Sequence, residues 1–471
     1  MKREQYLLKS TLIITIGKIC TQLVTFFLLP LYTSILTVEE FGVVDLINTI
    51  VSFIIPLFSL QIDQAIFRKL VDYRKNKENV SKVVITGILI LLLQILIYLA
   101  LFWIINDYIK TTFKIFIVLN VIILMITNFL LQTIRGLGSN KSYSVVSFIT
   151  ALSILILYII FVAFLKMGAR GMLLATFLGN LFSTFVLIIL IIKKVKLRFT
   201  DFSIGLVKEM YHYSIPLVPN AISWWIFNSS DRIIVNKFLG LEYNGLLSAS
   251  YKFSNIYISL YNVFNMTWTE TASLHIKDKD RDDFFNNIIN KSFILFTSIA
   301  LVVISIIPII FPYFINSKFI DSYYQIYILI VASIFNVLVG LLSGIYIAKN
   351  DTKAVAKTSI IGAIINIIIN VLLINYIGLY AASISTLMSY LIMAIYRYLD
   401  VKKYINLRLD FSKTIIMLIN IIFLGVTYYM DLNLLNIFVF FIEILIFYIL
   451  NKKLIIYILN ILKNKILGAS R

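Results

Sequence analysis

Three features of this sequence predict an all-α integral membrane protein of about fourteen transmembrane helices, arranged as two six-helix bundles plus two C-terminal helices. Of its 471 residues, 60% are hydrophobic, and the mean hydropathy is +0.95. The apolar residues gather in about fourteen segments of roughly 20 or more, the length a helix needs to cross a bilayer. Of the 42 Lys and Arg residues, about 33 lie in every second gap between segments. Positive loops stay on the cytoplasmic side, so both termini are expected inside and the number of spans even. The third feature is an internal repeat.

Taken in order, the spans are read at about 10–34, 42–66, 82–105, 113–135, 142–166, 171–193 and 213–238 in the first part of the chain. They continue at about 245–273, 288–312, 321–347, 354–375, 379–400, 411–430 and 434–457. The first, from about Thr11 to Leu36, is too long for the apolar core of a signal peptide, and no cleavage pattern follows it. Between the sixth and seventh spans runs the basic stretch Lys193 to Tyr211, which reads as a linker.

The repeat is visible in matched residues. After the first span comes Leu36-Thr37-Val38-Glu39-Glu40-Phe41-Gly42, and after the seventh comes Leu239-Gly240-Leu241-Glu242-Tyr243-Asn244-Gly245. Asn140 and Gly168 have the spacing of Asn350 and Gly378, and Ala175-Thr176 matches Ser385-Thr386. Six spans per repeat is even, so both copies have one orientation and form a parallel pseudo-twofold pair. The expected units are 1–200, a six-helix bundle; 201–403, its repeat; and 404–471, two further helices with a cytoplasmic tail. Such a duplication predicts an alternating-access carrier with a central cavity.

Composition narrows the chemistry. The net charge of +19 follows the positive-inside pattern, so no nucleic-acid partner is expected. The single Cys20 excludes an intramolecular disulfide and a CxxC metal site, and His212 and His275 are far apart. No GxxxxGK[ST] loop offers a home for ATP. Every loop is short, leaving no room for a soluble catalytic domain. No catalytic residue, metal or cofactor is therefore expected, and the chain is read as a non-enzyme. Transport would run on a coupling ion (H+ or Na+, left unassigned), on the substrate's own gradient, or on a partner.

Polar residues at helical spacing mark candidate cavity faces. Thr11, Thr15, Lys18, Gln22 and Thr25 form one stripe, and Asp45, Asn48, Ser52, Ser59 and Asp63 form a second that includes Pro56. Span 7 offers Asn220, Trp224, Asn228, Asp231 and Arg232; span 8 offers Lys252, Asn255, Ser259, Asn262 and Thr269. Hydroxyls and amides in such stripes also serve as bonds between membrane helices. Lys18, Arg232 and Lys252 are harder to explain that way, because a charge at mid-bilayer costs at least ~2.5 kcal/mol and requires a partner or a purpose. Arg232 fits either a ligand-binding role or a structural pair with Asp231, and Asp231 either that partner or a proton carrier. One of Trp224 and Trp225 is read as packing and the other as a flat face for a sugar ring. The excess of cations over acids favours an anionic substrate, phosphate or pyrophosphate above all.

Several short motifs, in order, resemble an oligosaccharide flippase of the polysaccharide-biosynthesis (Wzx-like) type, in the superfamily that includes multidrug exporters and the lipid II flippase. They are Pro30-Leu31-Tyr32 with Glu39-x-x-Gly42, and Asp63-Gln64-Ala65-x-x-Arg68. The second half adds Tyr213-Ser214-x-Pro216-x-x-Pro219, Ser230-Asp231-Arg232, and Gly240 to Gly245. The resemblance implies inversion of an undecaprenyl-pyrophosphate-linked oligosaccharide in the bacterial cytoplasmic membrane. The product would be a surface polysaccharide such as O-antigen or capsule, with polymerase machinery and membrane lipids as further partners. It also implies a cationic cavity lined by helices 1, 2, 7 and 8. Lys18 and Lys252 match by helix, and Asp231-Arg232 matches the family's acid–arginine pair. Lys18, Gln22, Asn48, Trp224, Asn228, Asp231, Arg232, Lys252, Asn255 and Asn262 are thus the expected substrate-binding residues. Two other readings are a multidrug or cation antiporter of the same fold, which needs acids facing the cavity, and a membrane glycosyltransferase or polysaccharide polymerase. The latter needs a larger outer loop than the roughly eight residues around Glu39-Glu40.

Overall fold

The computed structural model describes residues 26–74, 77–108, 111–349, 351–430 and 432–468. Those residues form helices joined by short turns, and none of them forms a strand. We number the helices α1 (Leu29–Ile35), α2 (Val38–Ser59), α3 (Ile62–Tyr73), α4 (Lys77–Ile105), α5 (Lys114–Gly136) and α6 (Asn140–Tyr158). Next come α7 (Gly168–Ile192), α8 (Ile204–Ser214), α9 (Val218–Phe238), α10 (Leu241–His275), α11 (Arg281–Phe314) and α12 (Asp321–Ala348). The last are α13 (Thr352–Ile377), α14 (Tyr380–Asp400), α15 (Phe411–Met430) and α16 (Asn433–Gly468). Ten helices among the described residues are long and apolar enough to cross a membrane. Neither α9 nor α10 is among them, because the polar residues singled out above interrupt their apolar surface.

The helix ends follow local chemistry. Thr37 caps α2 and forms a capping box with Glu40: the Thr37 hydroxyl accepts from the Glu40 N–H at 3.1 Å, and the Glu40 carboxylate accepts from the Thr37 N–H at 2.9 Å. The second predicted span divides in two. Leu60 and Gln61 take left-handed conformations between α2 and α3, at φ 45° and 55°. Pro56 stays inside α2, where its missing N–H removes one helix bond. The stretch read as a linker, Lys193 to Tyr211, contains most of α8, which leads through a 3-10 turn at Ile215–Leu217 into α9, with Pro216 in the turn and Pro219 at the start of α9.

Packing groups the chain into two compact units, Met1–Ser248 and Ala249–Arg471, with the division inside α10. In the first unit α7 packs on α5 and α6, α3 on α5, and α2 on α9. In the second, α14 packs on α12 and α13, and α11 on α12, α15 and α16. The same neighbour pattern thus recurs, with α5, α6 and α7 answering to α12, α13 and α14.

Residues matched in the sequence do matched work. Gly168 opens α7 and Gly378 caps α13 two residues before α14, at φ +57° and +56°, a positive value that a side chain disfavours. Thr176 accepts or donates to the Tyr158 hydroxyl at 2.9 Å on the neighbouring helix, and Thr386 accepts from the Asn366 amide at 3.2 Å. Asn350, the match of Asn140, lies outside the described residues. The other echoed pair meets directly: α2 crosses the start of α10 at Gly42 and Gly245. A Cβ on Gly42 would stand 1.9 Å from the Leu241 carbonyl oxygen, and one on Gly245 would stand 2.1 Å from that of Val38. The Asn244 amide closes the crossing by donating to the Gly42 carbonyl at 2.9 Å.

In the second unit a short ladder ties the α14–α15 connection to α11. Asp282, Asn286 and Asn290 recur every fourth residue and so share one helix face. Asp282 accepts from the Asn406 N–H at 3.1 Å. Asn286 donates to the Asn406 carbonyl and accepts from the Arg408 N–H, at 2.8 and 2.6 Å. Asn290 repeats this with the Arg408 carbonyl and the Asp410 N–H, both at 2.8 Å. Four helical residues advance about 6 Å and two extended residues about 6.6 Å, so the two registers stay in step over these rungs. Ile405, just before the first rung, and Leu407, between the first two, are buried.

Candidate functional site

The first unit gathers its candidate residues where α9 lies along α2. Arg232 is the centre of that contact. Its Nε donates to Asp45 Oδ2 at 2.8 Å, and its Nη1 donates to the Asn228 carbonyl one turn back at 2.7 Å. The side chains of the pair are 13% and 19% exposed, Arg232 and Asp45 respectively, so the attraction is screened less than at a surface. Asp231 is buried, and its Oδ1 accepts from the backbone N–H of Arg232 at 3.2 Å. Among the described residues, the carboxylate that pairs with the Arg232 guanidinium is Asp45, a member of the span-2 stripe, whereas Asp231 meets Arg232 at its backbone N–H.

The two tryptophans separate. Trp225 packs on α2, with its ring 4.4 Å from that of Phe53. Its indole N–H donates to the Thr49 carbonyl and the Ser52 hydroxyl, both at 3.0 Å. Trp224, its neighbour around the helix, is 51% exposed. Asn228 is exposed one turn beyond Trp224, its amide donating to the Trp224 carbonyl at 2.7 Å. Asn48 is exposed on α2. These amides make no hydrogen bond to another helix among the described residues, which separates them from interhelical bonding groups.

In the second unit, α10 has two faces. Phe253, Tyr257, Tyr261 and Trp268 are buried on one. Gly340 and Gly344 of α12 admit the rings: a Cβ there would stand 2.2 Å from the Tyr261 hydroxyl and 2.4 Å from Trp268 Nε1. The Trp268 indole donates to the Leu341 carbonyl at 2.9 Å. Asn255 and Asn262 are exposed on the other face, with Lys252 half-buried. Ser259 donates to its own helix at the Asn255 carbonyl, at 2.7 Å, so the stripe presents amides and leaves the hydroxyl bonded locally.

Lys18 and Gln22 lie outside the described residues. Of the other expected residues, the structure places Asn48, Trp224, Asn228, Asp231 and Arg232 along one helix pair of the first unit. Lys252, Asn255 and Asn262 lie on α10 of the second. No group of three His, Cys, Asp or Glu side chains with metal-binding geometry occurs among the described residues.

A buried cation also appears where the charge pattern placed a loop cation. Arg397, in the last turns of α14, is 2% exposed. Its Nε donates to the Thr358 hydroxyl at 2.9 Å, Nη1 to the Val339 carbonyl at 3.1 Å and to the Ser343 hydroxyl. Nη2 donates to the Val355 carbonyl at 3.2 Å and the Ser359 hydroxyl at 3.1 Å. Five N–H groups thus meet five neutral acceptors on α12 and α13. Sequence reading missed this role; the serines and threonines of α12 and α13 were its only local signal.

A family model described as polysaccharide biosynthesis protein matches residues 7–269. No curated protein matches the chain. Among solved structures, it is similar to an inward-facing multidrug resistance MATE family transporter of the MOP superfamily. That match has a TM-score of 0.69 and 14% identity over 80% of this chain and 93% of that one. It is also similar to the lipid II flippase MurJ in an inward closed conformation, with a TM-score of 0.66 and 19% identity over 95% of this chain and 100% of that one. At these identities the likenesses speak to the fold.

Proposed function

Because the chain belongs to the polysaccharide biosynthesis protein family, we propose that it is a flippase. It moves polyprenyl-pyrophosphate-linked oligosaccharide units from the inner to the outer leaflet of the bacterial cytoplasmic membrane by alternating access. The observation that carries this reading is that each unit has exposed amides on or beside a helix that carries a cation within its span: Asn48 and Asn228 with the part-buried Arg232 in the first, and Asn255 and Asn262 with the half-buried Lys252 in the second. Amides suit sugar hydroxyls, and cations suit the pyrophosphate. Trp224 offers an exposed ring face, and Lys18 and Gln22 complete the proposed set from the first helix. Asp231, buried beside Arg232, orders that turn of α9. The protein acts as a carrier and breaks no covalent bond. Direction comes from differential affinity for the two states or from a coupled H+ or Na+ gradient.

A cation or multidrug antiporter would require carboxylates available to a cationic cargo. Asp45, the acid of the α2 stripe, is instead paired with Arg232 at 2.8 Å, which favours an anionic cargo. In cells lacking the gene, lipid-linked oligosaccharide should accumulate on the inner leaflet. The intact gene should clear it, and the Lys18→Gln/Lys252→Gln double variant should not. Full clearance by that variant would remove the cationic site from the proposal. An unchanged leaflet distribution in the deletion, together with altered drug susceptibility, would move the assignment to the antiporter.

A further inference from the structure

A second polar feature lies in the Ala249–Arg471 unit, lined by none of the residues proposed to meet the cargo. A cavity of about 720 Å³ opens between the first turn of α11 and the α14–α15 connection. Arg281, Lys402, Lys403 and Arg408 line it, with Asp282 in the same wall. Asp282 is engaged twice, by Arg281 at 3.2 Å and by the Asn406 N–H at 3.1 Å. Lys403 pairs with Asp400 at 2.9 Å. Lys402 stands over the Tyr398 ring at 4.4 Å, and neither it nor Arg408 has an ion-pair partner among the described residues. Of the four lining cations, Arg281 and Lys403 are thus ion-paired, while Lys402 and Arg408 are the two left to meet an added anion.

These cations are mounted on a fixed frame. The Asp282, Asn286 and Asn290 ladder holds the backbone on both sides of Arg408. The Tyr346 hydroxyl donates to Asp400 at 2.8 Å, and the Tyr404 hydroxyl donates to Asp351. The entropy that mobile lysines on a free loop would lose on binding is therefore partly lost already on folding. The flanking helix ends are apolar and exposed: Ile395 and Leu399 close α14, and Ile415 and Ile416 open α15.

We propose that this cavity binds a phosphate ester anion, with the headgroup of an anionic phospholipid as its membrane source. Soluble phosphates present the same group, and the exposed isoleucines and Leu399 favour the form that carries acyl chains. Basic pockets at the cytoplasmic ends of membrane helices recognise lipid headgroups through such contacts, and the positive-inside pattern assigns this face to the cytoplasm.

The test uses the full-length protein in nanodiscs of phosphatidylcholine with a minor fraction of phosphatidylglycerol, with lipid retained after detergent extraction counted by native mass spectrometry. The wild type should retain phosphatidylglycerol in preference to phosphatidylcholine. Lys402→Gln/Arg408→Gln should lower that retention about tenfold to thirtyfold, as expected for two surface cations. The charge-preserving Lys402→Arg/Arg408→Lys should keep most of it, and Lys193→Gln/Lys357→Gln, an equal loss of charge elsewhere, should leave it unchanged. Competition by glycerol phosphate and inorganic phosphate would support the anion site and identify a soluble source; failure to compete identifies the lipid. No preference for phosphatidylglycerol in the wild type, or equal loss in the Lys193/Lys357 control, would overturn the proposal. Matching thermal unfolding midpoints for the variants keep either outcome interpretable.

Discussion

Asp45 and Arg232 are 187 residues apart in the chain, and their side chains meet at 2.8 Å. The contact joins α2 to α9 and uses an acid and a base from stripes that each looked like cavity lining. Arg232 is therefore oriented by Asp45 and the Asn228 carbonyl, so it is a pre-positioned cation and not a freely swinging one.

Removing one member of this pair should cost about 3 kcal/mol, because the remaining charge is left in a site mostly closed to water. Asp45→Asn and Arg232→Gln should each lower the thermal unfolding midpoint in detergent. The double variant should lose less than the sum of the two. Additive losses would show that the pair contributes no coupling.

The adjacent tryptophans should part in their effects. Trp225→Ala removes a ring packed on Phe53 and two hydrogen bonds, and should destabilise by about 3–5 kcal/mol. Trp224→Ala should leave the unfolding midpoint nearly unchanged and still reduce clearance of lipid-linked sugar in cells. Normal clearance by Trp224→Ala would take that ring out of the binding site.

Arg397 should tolerate no substitute. Lys cannot supply five donors in a planar fork, so Arg397→Lys leaves acceptors on α12 and α13 unmet and should cost at least about 2 kcal/mol. The expected readout is a lower yield of monodisperse protein and a lower unfolding midpoint, with Thr358→Val producing a smaller shift in the same direction.

Acid should weaken the connection after α14 in a defined way. The Tyr404 hydroxyl, and then the Ala354 N–H, hold the Asp351 carboxyl below the usual carboxylate range. A depressed folded-state pKa contributes stability that is present above the unfolded value and lost as pH falls through the folded one. Tyr404→Phe should therefore flatten the fall in unfolding midpoint on acidification. An identical acid slope in Tyr404→Phe and wild type would assign the acid loss to other carboxylates.

Much of this molecule is written in local patterns. Bilayer thickness sets the length of an apolar run, and the 3.6-residue period places polar residues on one face. The positions of α2, α4 through α7 and α9 through α16 followed from those rules, as did the exposed amides of α10; α8 did not, because its residues fall in the basic stretch read as a linker. Two of the matched positions, Gly168 and Gly378, both take a positive φ. Where these rules met a break in the backbone they erred by a helix, as at Leu60-Gln61, where two non-glycine residues adopt a turn that no residue type announced.

Sequence alone determined the membrane class, the placing of most helices and which of their faces are polar, because each depends on neighbours within a few turns. Only the tertiary structure decided that the Arg232 guanidinium pairs with Asp45 on α2, that Trp225 packs while Trp224 is exposed, and that Arg397 is buried among hydroxyls. Each of those depends on which distant helix lies alongside, and a one-dimensional period carries a residue's direction around its own helix but not the identity of the helix it faces.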